Sequence, residues 1–265
     1  MSKAEPLYHP MRPRARSQRK ARRKVVRALF KAVFTVGLVC SVAYALSGYF
    51  TNSPRFALQK VQISGLRALT EDDIVHQAGL NTALNTLLLD PHTIEQKVAS
   101  LPYVSECAVR REFPSRVFID ITERMPSAIF LYENHSFEID RDGRLLRELD
   151  PLAPLYLPLL SSDEVKALPA EGEQLALPGV LKALELIDVY YSTSLKDRFK
   201  LSEIAVQDPN TILMFADDAP YELRWGREDS FTQAQRLEAL MATRTEALPC
   251  AEYLDLRFGA DLVCK

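Results

Sequence analysis

The spacing of hydrophobic and polar residues changes several times along this chain, and the longest apolar stretch lies near its start. Residues 32–54, 23 positions in all, contain no Asp, Glu, Lys, Arg or His. As a helix this stretch would extend about 34 Å, enough to cross the roughly 30 Å hydrocarbon core of a bilayer. The pattern predicts a membrane-spanning helix with its flanks over residues 25–54.

Two other interpretations of this stretch stay open. It could be the buried core helix of a soluble protein. It could also be a cleavable signal peptide, because residues 43–45 read Ala-Tyr-Ala, which has the small-x-small form of a cleavage site.

Residues 55–124 predict a small α+β domain. Alternating apolar residues predict strands near residues 58–63, 104–111 and 116–122. Thr70 before three acidic residues predicts the start of a first helix, which ends at Gly79. A second helix begins at Asp90-Pro91 and ends at residue 101. The resulting order is strand, helix, helix, strand, strand.

Residues 125–265 predict a second, mixed or antiparallel β domain with helices. Asp142-Gly143 between two apolar stretches predicts a hairpin turn. We do not expect a calcium loop at residues 140–143, because Leu145 and Leu146 occupy positions where such a loop would need oxygen ligands. Residues 150–179, which are rich in proline, predict an irregular connection. The remaining pattern predicts helices at residues 178–194 and 228–245, and strands at 201–206, 212–215, 221–225, 251–258 and 260–264.

The net charge of the chain, -2 at pH 7, hides two stretches of opposite sign. The first 31 residues carry 11 Lys or Arg against the single acid Glu5, whereas the chain after Pro54 carries 22 basic and 34 acidic residues. The positive-inside rule places residues 1–31 in the cytoplasm and residues 55–265 outside. Residues 1–24 predict a disordered basic tail, whose charge is explained by topology and anionic lipids rather than by nucleic acid.

The cysteines and histidines do not predict a metal centre or an active site. Cys40 lies in the span, and the odd set outside it (Cys107, Cys250 and Cys264) forms no disulfide framework. A single Cys250–Cys264 bridge stays open, although strands paired around Gly259 would put the two out of register. No C-x2-C spacing, nucleophile motif or glycine-rich phosphate loop occurs, so we expect no metal, no cofactor, no small-molecule substrate and no catalysis.

Three sequence landmarks in the first external domain, and one at the end of the chain, resemble the FtsQ/DivIB family of bacterial cell-division proteins. The landmarks are Leu-Pro-Tyr-Val at residues 101–104, Arg-Glu-Phe-Pro at 111–114 and Glu-Arg-Met-Pro-Ser-Ala at 123–128, followed by Leu-Asp-Leu-Arg-Phe at 254–258. The resemblance implies a POTRA domain over residues 55–124 and a C-terminal β domain over 125–265. Phe113 stands where the family usually has Trp.

The resemblance also implies a function, namely a non-enzymatic bitopic scaffold at the septum of the inner membrane that recruits FtsB and FtsL-type partners. In the family the partner adds a strand to the edge of the C-terminal sheet. Arg257 matches the family's partner-contacting arginine, Phe258 stands where Tyr is more common, and residues 260–265 would form the receiving strand. The expected partner-binding residues are Tyr253, Asp255, Arg257, Phe258, Ala260, Asp261, Leu262 and Val263.

Strand alternation adds an expectation about faces. One face, expected to pack, carries Leu254, Leu256 and Phe258. The other, expected to be free for contacts, carries Tyr253, Asp255 and Arg257. Two functions of other classes stay open: a POTRA-containing accessory of outer-membrane protein assembly or secretion, and an anchored hydrolase of the cell envelope.

Overall fold

The computed structural model describes residues 15–243, 250–259 and 261–265, with side chains from residue 26 onward. These residues form two compact units. The first comprises residues 15–59, 82–89 and 113–115. The second comprises residues 60–81, 90–112 and the described residues from 116 onward.

The first unit is dominated by a long helix, α1 (Ala15–Asn52), followed by a 3-10 turn at Pro54–Phe56. Its segment Val26–Asn52 exposes its apolar side chains and is long and apolar enough to cross a membrane. The prediction of a disordered tail is wrong for residues 15–24, which are helical, because Ala, Arg, Lys and Gln are all strong helix formers. Residues 1–14 lie outside the described part of the chain.

The second unit begins with the predicted strand, helix, helix, strand, strand order, which is confirmed. The three strands form a sheet in the order β1-β3-β2, with β1 parallel and β2 antiparallel to β3. The elements are β1 (Lys60–Ser64), α2 (Glu71–Ala78), α3 (Pro91–Ala99), β2 (Val104–Glu112) and β3 (Arg116–Glu123).

Local capping chemistry sets the ends of both helices in this part of the unit. Thr70 and Asp73 form a reciprocal capping box at the start of α2, and Gly79 ends it with a left-handed φ of 69°. Asp90 accepts hydrogen bonds from the first backbone N–H groups of α3, with Pro91 in the first turn. Each signal is local, which explains why the sequence alone located these helices.

The rest of the second unit is built on one nine-stranded mixed sheet with the strand order β12-β11-β10-β9-β8-β7-β4-β5-β6. Its strands are β4 (Pro126–Tyr132), β5 (His135–Asp140), β6 (Leu145–Glu148), β7 (Leu159–Ser162), β8 (Leu201–Asp208), β9 (Thr211–Ala216), β10 (Glu222–Trp225), β11 (Tyr253–Asp255) and β12 (Val263–Cys264).

One row of apolar residues, paired from strand to strand, crosses this sheet and forms part of its hydrophobic core. From β5 to β11 the row runs through Phe137, Phe130, Leu160, Ile204, Met214, Leu223 and Leu254. Helices α4 (Pro178–Ser192) and α5 (Ser230–Ala242) contribute buried residues to the same core, and a 3-10 turn, Ser194–Asp197, lies between them in sequence. The row explains the α+β layering, since helices bury the face on which these side chains lie.

Strand β7 is the element that the sequence missed. It lies inside residues 150–179, which were expected to be an irregular connection, and it runs parallel to both β4 and β8. Pro154 and Pro158 obscure its pattern, and only Leu160 is fully buried. A four-residue strand between two partners needs no alternation of its own, because its position is fixed by non-local pairing.

The landmarks at residues 101–104 and 123–128 join the three-stranded sheet to β5. The hydroxyl of Tyr103 donates to the buried carboxylate of Glu138, which also accepts from Tyr156 and, at 2.9 Å, from Arg147. The Arg124 guanidinium lies 2.9 Å from Asp140. We call this set of contacts the β5 joint.

Candidate functional site

The C-terminal end of the sheet is an open edge formed by β10, β11 and β12. Strand β11 runs parallel to β10, with Leu223 opposite Leu254, and β12 runs antiparallel to β11, with Val263 opposite Asp255. Within the described residues no further strand pairs with β12, which ends the sheet. Both strands are shorter than the predicted ranges of 251–258 and 260–264.

Hydrogen bonds identify which backbone groups of β12 point away from the sheet. The Lys265 N–H donates to the Tyr253 carbonyl at 3.0 Å, and the Tyr253 N–H donates to the Lys265 carbonyl at 3.3 Å. In an antiparallel ladder such exchange pairs alternate with pairs whose N–H and C=O groups point outward. The N–H and C=O of Cys264 therefore face the open edge, where an added strand could bind them.

A disulfide joins Cys264 of β12 to the buried Cys250, with Cα atoms 5.2 Å apart. The bridge that the sequence left open therefore forms. In the ladder Cys264 lies opposite Leu254, so the two cysteines are out of register as expected, and the bridge forms through the segment that precedes the strand. Strand β11 begins only at Tyr253, and the preceding N–H groups of Ala251 and Glu252 both turn toward the Lys265 carbonyl, at 2.8 and 2.7 Å.

The expected faces of β11 are partly wrong. Leu254 and Leu256 are buried as predicted, but Phe258 is 57% exposed and Asp255 is only 2% exposed. The strand ends at Asp255, so the alternation on which both expectations depend does not continue to Arg257 and Phe258. Asp255 is therefore closed to direct contact with a partner, whereas Phe258 is open to it.

Arg257 is held in place by Asp255 through a two-point ion pair. Its Nε donates to Oδ1 at 2.9 Å and its Nη2 donates to Oδ2 at 2.7 Å, while Nη1 lies 3.3 Å from the Thr211 hydroxyl. Burial raises the pKa of Asp255, but the hydrogen bonds from Arg257 outweigh it and hold this pKa below its ordinary value. The guanidinium remains half-buried and oriented.

Gly226 makes room for the arginine stem. A Cβ at this position would lie 2.7 Å from Cγ of Arg257 and 3.2 Å from its Cβ. The Gly226 N–H is held by the buried side chain of Gln233 on α5, at 3.3 Å. A glycine at position 226 thus has a structural reason in the packing of Arg257.

A second arginine on the same face was not identified from the sequence. Arg224 stacks on the Tyr253 ring, 3.8 Å from its centroid, and its Nη2 lies 2.5 Å from Glu222. Arg224 and Tyr253 lie about 30 positions apart in sequence, and only the parallel pairing of β10 with β11 brings them together. Stacking of this kind holds a ring and a cation in fixed positions beside the edge.

The remaining expected partner-binding residues lie along the end of the chain. Asp261 is exposed, Val263 is 38% exposed, and Leu262 is half-buried against the core. Ala260 lies outside the described residues. The structure therefore brings Tyr253, Arg257 and Val263 to one end of the sheet, and Asp255 supports Arg257 from below the surface.

Hydrogen bonds and an ion pair within the chain organise the acidic turn at Asp140-Arg141-Asp142. Asp140 accepts hydrogen bonds from the N–H groups of Asp142 (3.0 Å) and Arg144 (2.8 Å), and its charge is paired with Arg124. Across the described part of the chain, no three His, Cys, Asp or Glu side chains are placed to hold a metal ion.

Within the described residues, one candidate membrane-spanning helix, a βααββ unit of POTRA type and a large sheet with an open edge define a class of membrane protein that carries a POTRA domain. A family model described as "POTRA domain, FtsQ-type" matches residues 56–124, and one described as "Cell division protein FtsQ/DivIB, C-terminal" matches residues 129–257. The chain belongs to the FtsQ/DivIB family of cell-division proteins.

Relatives named "Cell division protein FtsQ" align with most of the chain. The protein of Syntrophotalea carbinolica is 24% identical over 88% of this chain and 82% of its own length. The protein of Geotalea daltonii is 26% identical over 91% of this chain and 88% of its own length. The protein of Myxococcus fulvus is 28% identical over 76% of this chain and 69% of its own length. The similarity therefore extends through both of the regions that the family models match.

Proposed function

We propose that this protein is a non-catalytic, bitopic scaffold of the division machinery, which recruits FtsB and FtsL-type partners to the septum by accepting a strand at β12. The open edge of the nine-stranded sheet is the observation that carries this proposal. An exposed edge offers unpaired N–H and C=O groups, which a partner strand can pair. Membership of the FtsQ family supports divisome proteins as those partners.

In this proposal the backbone of Cys264 supplies affinity and nearby side chains supply register. Among the described contacts, Asp255 and Thr211 engage three of the five N–H donors of Arg257. The remaining donors suit a carboxylate on the partner, and the guanidinium needs no reorganisation to meet it. Phe258 and Val263 add apolar area beside the edge.

Two observations support a cytoplasmic N-terminus and an extracytoplasmic C-terminal domain in the inner membrane. The basic flank precedes the apolar helix, as the positive-inside rule requires of a cytoplasmic flank. The Cys250–Cys264 disulfide lies beyond the helix, and structural disulfides persist in oxidising compartments outside the cytoplasm.

The edge is tested by placing a charge on it. Val263→Lys adds a cation to the side chain that borders the edge and should weaken binding of the FtsB periplasmic segment by about tenfold or more, the usual effect of disrupting the centre of an interface. Leu152→Lys, at a leucine that is 93% exposed, is the matched control. Calorimetric titration measures both, and thermal unfolding reports whether each variant is folded.

Equal affinity for wild type and Val263→Lys would overturn strand addition at β12. Midcell enrichment of a fluorescent fusion in dividing cells tests the divisome assignment separately. Uniform envelope fluorescence, together with co-purification of barrel-assembly proteins, would favour the outer-membrane accessory instead.

A further inference from the structure

The end of the apolar helix is capped by a distant loop. The side-chain amide of Asn85 donates hydrogen bonds to the carbonyl oxygens of Phe50 (2.9 Å) and Thr51 (2.7 Å). The last carbonyls of a helix have no partner within the helix, and here a loop residue supplies it. Asn85 therefore fixes its loop at the level of the last turn of α1.

Further contacts make this loop and the helix exit a single body. We use the name exit collar for residues 53–59, 82–89 and 113–115, all in the first unit. Its segments are joined by backbone hydrogen bonds from Leu58 to Leu84, from Gln59 to Ser115 and from Thr86 to Phe56, each between 2.8 and 2.9 Å.

The exit collar differs sharply in charge from the rest of the external chain. Its single charged residue is Arg55, and it contains no Asp or Glu, whereas the chain after Pro54 carries 34 acidic residues in total. The exit collar also exposes large apolar side chains, with Leu88 68% exposed and Phe113 55% exposed. Such a surface is unfavourable in water but suits the boundary between lipid headgroups and acyl chains.

The length of the helix places the exit collar at that boundary. The uncharged stretch of residues 32–54 exceeds a hydrocarbon core of about 30 Å by only about 4 Å, and the interfacial layer on each side adds about 5 to 7 Å. The last turn of α1 therefore lies in the interfacial layer. Tyr49 and Phe50, exposed in this turn, are aromatic residues of the kind found at this depth.

We propose that the exit collar is a lipid-contacting surface, in which Leu88 and Phe113 insert into the interfacial layer of the bilayer that α1 spans. The cation of Arg55 suits the phosphates of lipid headgroups. The collar would restrict tilting of the segments attached to it by adding a second membrane contact beside the span. This proposal depends on the membrane span in the proposed function.

The test introduces tryptophan into the full-length protein, reconstituted in vesicles of phosphatidylcholine and phosphatidylglycerol with or without bromine near the headgroup end of the acyl chains. The native Trp225 is buried in the second unit and provides a constant background. Leu88→Trp and Phe113→Trp should each add emission that is blue-shifted and lost when brominated lipid is present. Leu152→Trp, at an exposed leucine of the second unit, should add emission that brominated lipid leaves unchanged.

A mid-span variant, Val39→Trp, separates failure of this proposal from failure of the proposed span. If lipids brominated deep in the acyl chains quench Val39→Trp but neither collar variant is quenched by shallow bromine, the collar proposal is overturned while the span stands. If Val39→Trp is not quenched, both fail. Quenching of Leu152→Trp to the same extent would reveal non-specific adsorption and would also overturn the proposal, as would protection of the collar tryptophans only when a protein partner is added.

Discussion

The disulfide between Cys250 and Cys264 should determine whether the open edge exists as a strand. Strand β12 has only two residues in the ladder, and its side chains Val263 and Cys264 are exposed, so little apolar burial holds it. The bridge has a sequence separation of 14, and closing a loop of about 15 residues removes about 3 kcal/mol of chain entropy from the opened state. The double variant Cys250→Ala/Cys264→Ala should therefore open this edge far more often.

Amide hydrogen exchange measures the effect directly. The Lys265 and Tyr253 N–H groups bond across β11 and β12, and a loss of about 3 kcal/mol should lower their protection about 100-fold. The amide of Leu213, on the interior strand β9, serves as the control and should change little.

Equal protection of Lys265 in the wild type and the double variant would refute this reasoning. It would mean that the ladder and the half-buried Leu262 hold β12 without the bridge. The affinity for a strand-adding partner should fall in parallel with protection, because a disordered edge must be ordered again on binding.

Two further predictions concern the arginine that borders this edge. Gly226→Ala places a methyl group 2.7 Å from Cγ of Arg257. This overpacking should lower the free energy of unfolding by about 1 to 3 kcal/mol. Urea denaturation measures the change, and an unchanged midpoint would contradict the close approach. The folded pKa of Asp255 lies below its ordinary value of about 4. The ion pair of Asp255 therefore stabilises the protein fully above this ordinary value, and the stabilisation is lost as the pH falls through the folded pKa. Asp255→Asn should therefore be less stable than the wild type at neutral pH, and the difference should shrink in acid; a difference independent of pH would exclude titration of Asp255 as its source.

The sequence was sufficient wherever structure is set by neighbouring residues. The capping box of Thr70 and Asp73, the left-handed Gly79 and the Asp90-Pro91 start each act over a few residues. They are sufficient to predict the βααββ order without any knowledge of the tertiary contacts. The apolar helix was predicted for the same reason, since a run of uncharged residues is a local property.

The candidate site could be predicted only in part, because its geometry comes from pairing between distant strands. Alternation placed Asp255 on an exposed face, but the strand ends there and the aspartate is buried beneath Arg257. The arrangement of Arg224 over Tyr253 depends on the parallel register of β10 and β11. The disulfide depends on a turn of the chain before β11, and the hydrophobic periodicity of the sequence does not predict this turn.

The two ends of the large sheet lie far apart, and this leads to a last prediction. The β5 joint lies near one end, and β12 is the other. Seven inter-strand steps of about 4.8 Å separate β5 from β12, about 34 Å along the sheet. Effects of substitutions at the two ends should therefore be nearly independent.

Glu138→Gln tests that independence. The carboxylate of Glu138 accepts from Tyr103, Tyr156 and Arg147, and an amide offers one acceptor oxygen and two donors in its place. The joint should lose about 1 to 3 kcal/mol, seen as faster exchange of the Arg124 N–H, which bonds to the Tyr103 carbonyl at 2.7 Å. Protection of Lys265 and the affinity for a strand-adding partner should remain at wild-type values. If both fell together, the sheet would transmit strain from one edge to the other, and the proposed partner-binding edge could not be treated as separate from the joint with the POTRA domain.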